Sequence, residues 1–399
     1  MRGPGVRLRW DGVADRSVRA SLCLLRFVVA GLTLVNPLWA IGEFGYYDPS
    51  TFDREKCYAY LEKVEASVGT EMFGELGYDH AFYLAQRMGP IDLYNVSDEA
   101  FVEHIMLAEE VGERFYREKA LETEEFNRYL LPLRIRSELT TRPQWRRVLK
   151  ETLDPLVADC DKAEDAVQKL IPWMAGKVKC EGDLPAYRLS KRGDLDPIKV
   201  LEEGKGGETD LAIFGVAVFR SVGVAARIVW TPTLDGMIGG KVWVEYRKED
   251  ASWDCWVPSL GAAEDQGRTL RKLLNGRAAL VLTHPEAPFE LTSDYLETIE
   301  LAFGPGCEGW EKAVMAQGTL GIDPIYDPER GYGLPEGVIK IGRAPLLVAL
   351  TRQDERYLVL PVQADGDVKR VTVTLKDGEI GTVLEKSNHE NSREVEKDQ

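Results

Sequence analysis

The sequence predicts an α+β protein in which a helix packs on antiparallel strands, with a helical region before this core and a small β module after it. Three observations predict this fold class. Apolar residues recur at helical spacing between residues 53 and 181, a glycine-rich loop then leads into an apolar helix followed by strands, and further strand-like runs succeed one another beyond residue 336. The predicted parts are a signal peptide or membrane anchor (1–41), a helical N-terminal region (53–181), the core (182–265), a connecting region (266–335), the β module (336–380) and a disordered tail (386–399).

The composition is that of an acidic globular protein. Its 399 residues carry 50 Lys and Arg against 66 Asp and Glu, a net charge of −16, and 44% of them are apolar. Binding to nucleic acid needs a basic face that neutralises phosphates, so we expect no nucleic-acid partner. With four histidines and no Cys-x-x-Cys spacing, we also expect no metal site and no cofactor.

The N-terminus has the layout of a secretory signal. Basic residues precede an apolar stretch, Ser21–Ile41, which is strongest over Phe27–Val35 and holds a small residue suited to cleavage at Ala40. Arg26 interrupts the apolar run, so the stretch falls short of the roughly 20 clean apolar residues that a membrane span needs. We expect export to the periplasm, the cell surface or the medium, with the leader either cleaved or kept as a membrane tether.

The cysteine count does not define a disulfide pattern. Removal of the leader with Cys23 leaves five cysteines, an odd number. Cys160 and Cys180 are the most favoured pair, although sequence spacing alone does not fix the pairing.

The helical region contains two clear predictions and one irregular segment. Ser97–Phe115 is predicted as a helix, with Ser97 as N-cap and acidic residues in the first turn that interact favourably with the helix dipole. A second helix is predicted over Lys162–Met174. Between them, the apolar run Leu130–Ile135 surrounds a proline, which predicts extended chain on the domain surface.

The core and the β module are predicted from runs of apolar residues and the turns between them. A loop at Gly204–Gly207 leads into a helix over Thr209–Val222 that ends at Gly223. The predicted strands of the core are Ala226–Trp230, Lys241–Arg247 and Trp253–Val257, and those of the β module are Leu347–Thr351, Arg356–Val362 and Arg370–Leu375.

The core resembles the transglutaminase-like (papain-like) superfamily. The family's Gly-x-Cys-x-Asp, its apolar helix and its Arg-x-x-Gly-Ile-Pro-Ala-Arg are similar to Gly207–Arg227. Its second motif, His-x-Trp-x-Glu, is similar to Lys241–Glu245, and Trp253 matches the tryptophan of the third strand. The resemblance covers about Phe82–Asp265 and implies a papain/transglutaminase-like core.

The resemblance also implies that the thiol chemistry of the family is missing. That chemistry uses a cysteine at a helix N-terminus, a histidine as base and an aspartate that orients the histidine. Glu208 stands at the cysteine position, Lys241 at the histidine position and Val257 at the aspartate position. Because no histidine lies between His104 and His284, a small shift of the alignment does not restore the pair.

Glu208 and Lys241 are open to two interpretations. Either they form a salt bridge that fills a former active site, or Glu208 acts as a general acid/base or nucleophile while Lys241 tunes it or holds an anionic substrate. The second interpretation predicts a hydrolase or lyase acting on a glycan or peptide.

The leading hypothesis is an exported pseudoenzyme that binds a peptide, protein or glycan in the former substrate groove. The alternatives are the repurposed hydrolase or lyase and a structural or assembly protein that uses the β module as its contact surface. The candidate groove residues are Glu208, Asp210, Lys241, Trp243, Glu245 and Asp254.

Overall fold

The computed structural model of the protein describes most of residues 54–386. The described ranges are 54–74, 78–88, 92, 95–116, 119–136, 138, 142–181, 194–231, 233–234, 237–238, 240–278, 280–284, 291–308, 311–316, 338–344, 346–352, 356–362, 367–376 and 379–386. The predicted leader, and the predicted tail beyond its first residue, lie outside these ranges. Within them, no helix has the length and apolar character needed to cross a membrane.

Helices form the N-terminal region, as predicted. They are α1 (Arg54–Val68), α2 (Thr70–Gly74), α3 (Tyr78–Gln86), α4 (Asp98–Gly112), α5 (Thr123–Tyr129), α6 (Trp145–Val157) and α7 (Ala163–Lys177). The start of α4 has the predicted cap, because the amide of Ala100 donates to the Ser97 hydroxyl over 3.2 Å. Helix α7 contains Pro172 and ends at Lys177, three residues beyond the predicted Met174.

The prediction that residues 130–135 run along the surface is wrong. Leu130 and Leu131 are fully buried. The buried guanidinium of Arg146 donates to the carbonyl oxygens of Leu130 and Arg220, each over 2.6 Å. Arg146 thus gives the buried Leu130 carbonyl a hydrogen-bond donor and links this segment to α9.

The central part of the chain alternates helices and strands. In order, its elements are β1 (Lys179–Cys180), α8 (Pro197–Glu203), β2 (Lys205–Gly206), α9 (Glu208–Ser221), β3 (Ala226–Trp230), β4 (Thr233–Leu234), β5 (Met237–Ile238), β6 (Val242–Arg247), β7 (Trp253–Trp256), a 3₁₀ turn (Pro258–Leu260), α10 (Gln266–Leu274) and β8 (Leu282–His284). The predicted helix and the three predicted strands of the core are therefore present, with ends that differ by at most one residue.

The core is a helix packed on an antiparallel sheet. The sheet has the strand order β7-β6-β3-β8, and its neighbouring strands are all antiparallel. Helix α9 packs on one face so closely that a Cβ atom at Gly215 would lie 2.4 Å from the Trp256 ring. Leu270 and Leu274 of α10 pack with Trp243 on the other face. The sheet is therefore covered on both sides.

The chain continues into strands that build two further sheets. The elements are α11 (Thr292–Tyr295), β9 (Thr298–Phe303), β10 (Glu311–Ala316), β11 (Ile339–Gly342), β12 (Leu346–Arg352), β13 (Arg356–Val362), β14 (Val368–Lys376) and β15 (Glu379–Lys386). One sheet has the order β11-β9-β14-β15 and the other β10-β12-β13. The three strands predicted here are present. Strands β9 and β10 come from the predicted connecting region, so the β structure begins well before residue 336.

One hydrophobic core joins the helical region to the central helix and sheet. It extends from Cys57 in α1, through the buried residues of α9, to Trp256 in β7. The helical region therefore packs directly on the helix that carries the candidate site residues Glu208 and Asp210.

Candidate functional site

The N-terminus of α9 is fixed by a buried carboxylate. Gly207 has extended backbone angles (φ −72°, ψ 170°), and the helix begins at the next residue, Glu208. Asp210 is fully buried, and its two oxygens accept from the amide of Gly207 at 2.9 Å and from the amide of Leu195 at 3.0 Å. Asp210 thus holds the loop before α9 against the chain before α8, and it is not accessible to a ligand.

Glu208 and Lys241 form an ion pair at this helix N-terminus. The ammonium nitrogen of Lys241 contacts Oε1 of Glu208, and the side chains are 14% and 4% exposed, respectively. The same nitrogen donates to the hydroxyl of Ser259 over 2.6 Å. Lys241 therefore bridges an interior carboxylate and a hydroxyl on an exposed residue of the 3₁₀ turn.

The backbone beside Lys241 is held by Thr231. The amide of Lys241 donates to the Thr231 hydroxyl and the amide of Thr231 donates to the Lys241 carbonyl, each over 2.9 Å. At Gly240 a Cβ atom would lie 1.8 Å from the Thr231 carbonyl oxygen, so only glycine fits this close approach. These contacts fix the backbone just before β6, so that the Lys241 side chain reaches Glu208 at the start of α9.

A second polar network lies behind the sheet, on the face covered by α10. Trp243 and Glu245, both on β6, are buried. The Trp243 indole donates to the Tyr295 hydroxyl over 3.2 Å, and that hydroxyl donates to Glu245. Glu245 also pairs with Arg227, its cross-strand neighbour, over 2.6 Å. This network ties α11 to the sheet, and its buried groups are not available to a ligand.

The remaining predicted positions are Val257 and Asp254. Val257 is buried, and its amide donates to the side chain of Gln266 over 2.6 Å. Asp254 is exposed, and its carboxylate accepts from the amide of Cys255 over 2.8 Å. Val257 has no group that could orient a base, and the Asp254 carboxylate is exposed.

The described thiols lie in structural settings. None of the five cysteines in the described ranges is in a disulfide, so the predicted pair of Cys160 and Cys180 does not form. Burial raises the pKa of Cys255 to about 12 and that of Cys57 to about 11. Cys255 lies within strand β7 and not at a helix N-terminus, the setting that activates a catalytic cysteine.

Side-chain contacts are defined for two histidines, His80 and His104, both distant in sequence from the core motifs, and a third, His284, ends β8 opposite Ile228 of β3. The Nδ1 atom of His80 lies 2.8 Å from a carboxylate oxygen of Glu109. His104 is buried with its Nε2 atom 2.8 Å from the Leu131 carbonyl, and burial holds its pKa well below the usual range. Both side chains are explained by contacts within the helical region.

Comparison with known proteins agrees with this architecture. Residues 150–258 match the family model described as the transglutaminase-like superfamily. The chain contains a transglutaminase-like domain. The helix packed on an antiparallel sheet is consistent with that match.

Two solved structures are similar to parts of the chain. A candidate protease from Parabacteroides distasonis ATCC 8503 is 13% identical, with a TM-score of 0.28, over 44% of this chain and 35% of that one. A candidate cysteine protease from Cytophaga hutchinsonii is 11% identical, with a TM-score of 0.29, over 66% of this chain and 64% of that one. This chain thus spans less than two thirds of either structure. No curated protein matches the sequence significantly.

Sequence reasoning missed two residues that complete the polar networks of the transglutaminase-like domain and its neighbouring strands. Ser259 contacts Lys241, and Tyr295 joins Trp243 to Glu245. Tyr295 lies 50 residues from Glu245, and no local pattern predicts such a contact. Ser259 offers a weak signal, because it follows the position of the family aspartate by two residues on a proline-initiated turn.

Proposed function

We propose that the transglutaminase-like domain works without a thiol, and that the protein is an exported pseudoenzyme that binds a peptide or glycan beside Glu208 and Lys241. The observation that carries this proposal is the ion pair at the N-terminus of α9. At the position where the family places its nucleophile, a carboxylate is held by an ammonium group. A carboxylate at this position cannot act as the thiol nucleophile of the family.

The accessible polar atoms support a binding role at this position. Glu208 is directed inward, whereas Ser259 is exposed and Lys241 is partly exposed. An ammonium group has three N–H donors, and those of Lys241 lie beside a serine hydroxyl. Carbonyl and hydroxyl oxygens of a peptide or glycan are the acceptors that such donors bind.

Export is supported by the basic and apolar pattern of residues 1–41. The test is to express the full chain in its host, separate the cell fractions and determine the N-terminal residue of the mature protein. Recovery outside the cytoplasm, with a new N-terminus near Ala40, would support a cleaved leader. An intact leader in the membrane fraction would support a tether, and an intact leader in the cytoplasm would contradict export.

Binding is tested with two matched variants. Peptide and glycan arrays are probed with the wild-type full chain, and hits are measured by fluorescence polarisation. Ser259→Trp places a large side chain beside Lys241 and is expected to weaken binding at least about tenfold, which corresponds to about 1.4 kcal/mol. Ser252→Trp, at an exposed serine in the turn between β6 and β7, is the control and should bind normally. Equal binding by both variants would place the ligand elsewhere.

Loss of thiol catalysis is tested separately. Protease and amine-transfer assays are run before and after alkylation with iodoacetamide. We expect no activity that alkylation removes. Turnover that alkylation abolishes would contradict the proposal.

A second function is favoured by the contact between Lys241 and Ser259. In this alternative, Glu208 serves as a general acid/base in a hydrolase. Lys241 contacts both the Glu208 carboxylate and the exposed Ser259 hydroxyl. A proton could therefore pass between the buried carboxylate and a group at the surface through the lysine.

A further inference from the structure

Three side chains form a chain of contacts that leads from the protein interior to the surface. Glu208 is at the inner end, Lys241 is in the middle and Ser259 is at the outer end. The Ser259 hydroxyl lies 2.6 Å from the lysine nitrogen, within the range for a charge-assisted hydrogen bond. Exposure increases in the same direction, and of these three residues only Ser259 is exposed.

The backbone around Ser259 is held in place. Its 3₁₀ turn begins with a proline, and the amide of Leu260 donates to the Val257 carbonyl over 2.9 Å. The amide of Val257 is in turn held by the buried side chain of Gln266 over 2.6 Å. A fixed turn keeps the serine hydroxyl next to Lys241, as nucleophilic catalysis requires.

We infer that Ser259 is the nucleophile of a serine–lysine acyl-transfer site in which Glu208 acts through Lys241. Serine attacks acyl carbonyls when an adjacent base takes its proton, and lysine serves as that base in some serine hydrolases. This inference rests on the second function above, the hydrolase. It is an alternative to the pseudoenzyme, and labelling of Ser259 decides between the two.

The proton balance of the step can be written with these three groups. As the Ser259 oxygen forms a bond to the acyl carbon, its proton passes to Lys241, and Lys241 passes one of its own protons to Glu208. After both transfers Glu208 is neutral, Lys241 keeps its positive charge, and the negative charge lies on the acyl oxygen beside the lysine. When the bond to the leaving group breaks, the proton returns from Glu208 through Lys241 to that group. Water then cleaves the acyl–serine ester by the same route, which releases the acid and restores Ser259.

The position of the site favours acyl esters and amides as substrates. The N-terminus of α9, a helix of 14 residues, carries Glu208. The positive end of its dipole stabilises negative charge that develops on an acyl oxygen nearby. On the α10 face of the sheet, Trp243 and Glu245 are buried and are held by Tyr295.

The test uses the purified full chain and a biotinylated fluorophosphonate, which forms an oxygen–phosphorus bond with an activated serine as fluoride leaves. Modified peptides are mapped by mass spectrometry. We expect an adduct on Ser259 and its loss in Ser259→Ala. Lys241→Arg retains a cation that can pair with Glu208 but releases a proton far less readily. Its labelling rate should therefore fall by roughly 100-fold or more.

Two controls keep the result interpretable. Ser252→Ala removes an exposed serine from the neighbouring turn and should be labelled at the wild-type rate. Thermal unfolding of each variant shows whether it is folded. Absence of an adduct on Ser259 in the folded wild type would overturn the inference, as would equal labelling of Lys241→Arg. Ser259→Ala should still bind the ligand found on the arrays, so loss of labelling and loss of binding are separate outcomes.

Discussion

Lys241, just before β6, forms an ion pair with Glu208, the first residue of α9. The two residues are 33 positions apart and meet because antiparallel pairing of β3 with β6 brings the start of β6 back to the helix. A carboxylate with 4% exposure needs a partner charge, and Lys241 supplies it. The pair therefore stabilises the same helix N-terminus that it occupies.

Asp210→Asn should destabilise the protein by about 3 kcal/mol, because a buried carboxylate that accepts from two backbone amides is replaced by a group with one oxygen. Chemical denaturation monitored by fluorescence measures the change. Asp161→Asn, at an exposed position, is the control and should alter stability by less than about 0.5 kcal/mol. If both variants were equally stable, Asp210 would not be anchoring the loop before α9.

Tyr295→Phe should cost about 1–3 kcal/mol, because it leaves the Trp243 indole without its acceptor and Glu245 without one of its donors. The ring and its packing against Trp243 are retained, so the change isolates the hydroxyl. Tyr58→Phe removes the hydroxyl of a more exposed tyrosine and should have little effect. A difference below about 0.5 kcal/mol between the two variants would show that the network contributes little.

Glu138 should make stability depend on pH. Burial raises the pKa of its carboxyl from 4.5 to about 7, although it accepts from the amides of Ile135 and Arg136. In the range between these two values the folded state binds more protons than the unfolded state, so the contribution of Glu138 to stability falls as pH rises. The loss is complete above about pH 7, and amounts to about 3 kcal/mol.

The measurement is the free energy of unfolding of wild type and Glu138→Gln at several values between about pH 5 and about pH 8. The buried neutral His104 acts in the opposite direction, because its lowered pKa reduces stability at acid pH. Since His104 is present in both proteins, its contribution cancels in the difference. The variant should therefore lose less stability than wild type as pH rises, and parallel profiles would contradict this role of Glu138.

Thiol reagents should discriminate among the cysteines. Cys57, Cys255 and Cys307 are buried, whereas Cys160 and Cys180 are partly exposed. Brief alkylation of the native protein, followed by peptide mapping, should modify the partly exposed pair first. Rapid modification of Cys255 would show an activated thiol in the sheet and would contradict a domain without thiol chemistry.

The sequence predicted the local elements well, because apolar periodicity and turn residues determine them. Strand β3 occupies the predicted Ala226–Trp230, and α9 begins one residue before the predicted Thr209. The burial of Leu130 and Leu131 was not predictable, since it depends on Arg146 reaching their segment from another helix. The parallel pairing of β9 with β14 was not predictable either, because the two strands are about 70 residues apart and no local sequence pattern specifies their pairing.

The candidate site was predictable only in part. The resemblance placed Glu208 and Lys241 opposite each other, and the structure brings them into contact. It also placed Asp210, Trp243 and Glu245 in the candidate groove, whereas these three side chains are buried. The alternation of residues along a strand predicts which side of the sheet a side chain faces. It does not predict whether α10 and α11 cover that side and bury the side chain.

The central claim is that an ion pair fills the position of the family nucleophile, and a double-mutant cycle tests it most directly. Unfolding free energies are measured for wild type, Glu208→Gln, Lys241→Met and the double variant. Lys241→Met should cost about 3 kcal/mol because it leaves Glu208 buried without its cation, and the double variant should recover much of that loss. A coupling energy of about 2 kcal/mol or more is the predicted result. A coupling below about 0.5 kcal/mol would contradict the claim, because the two charges would then be independent.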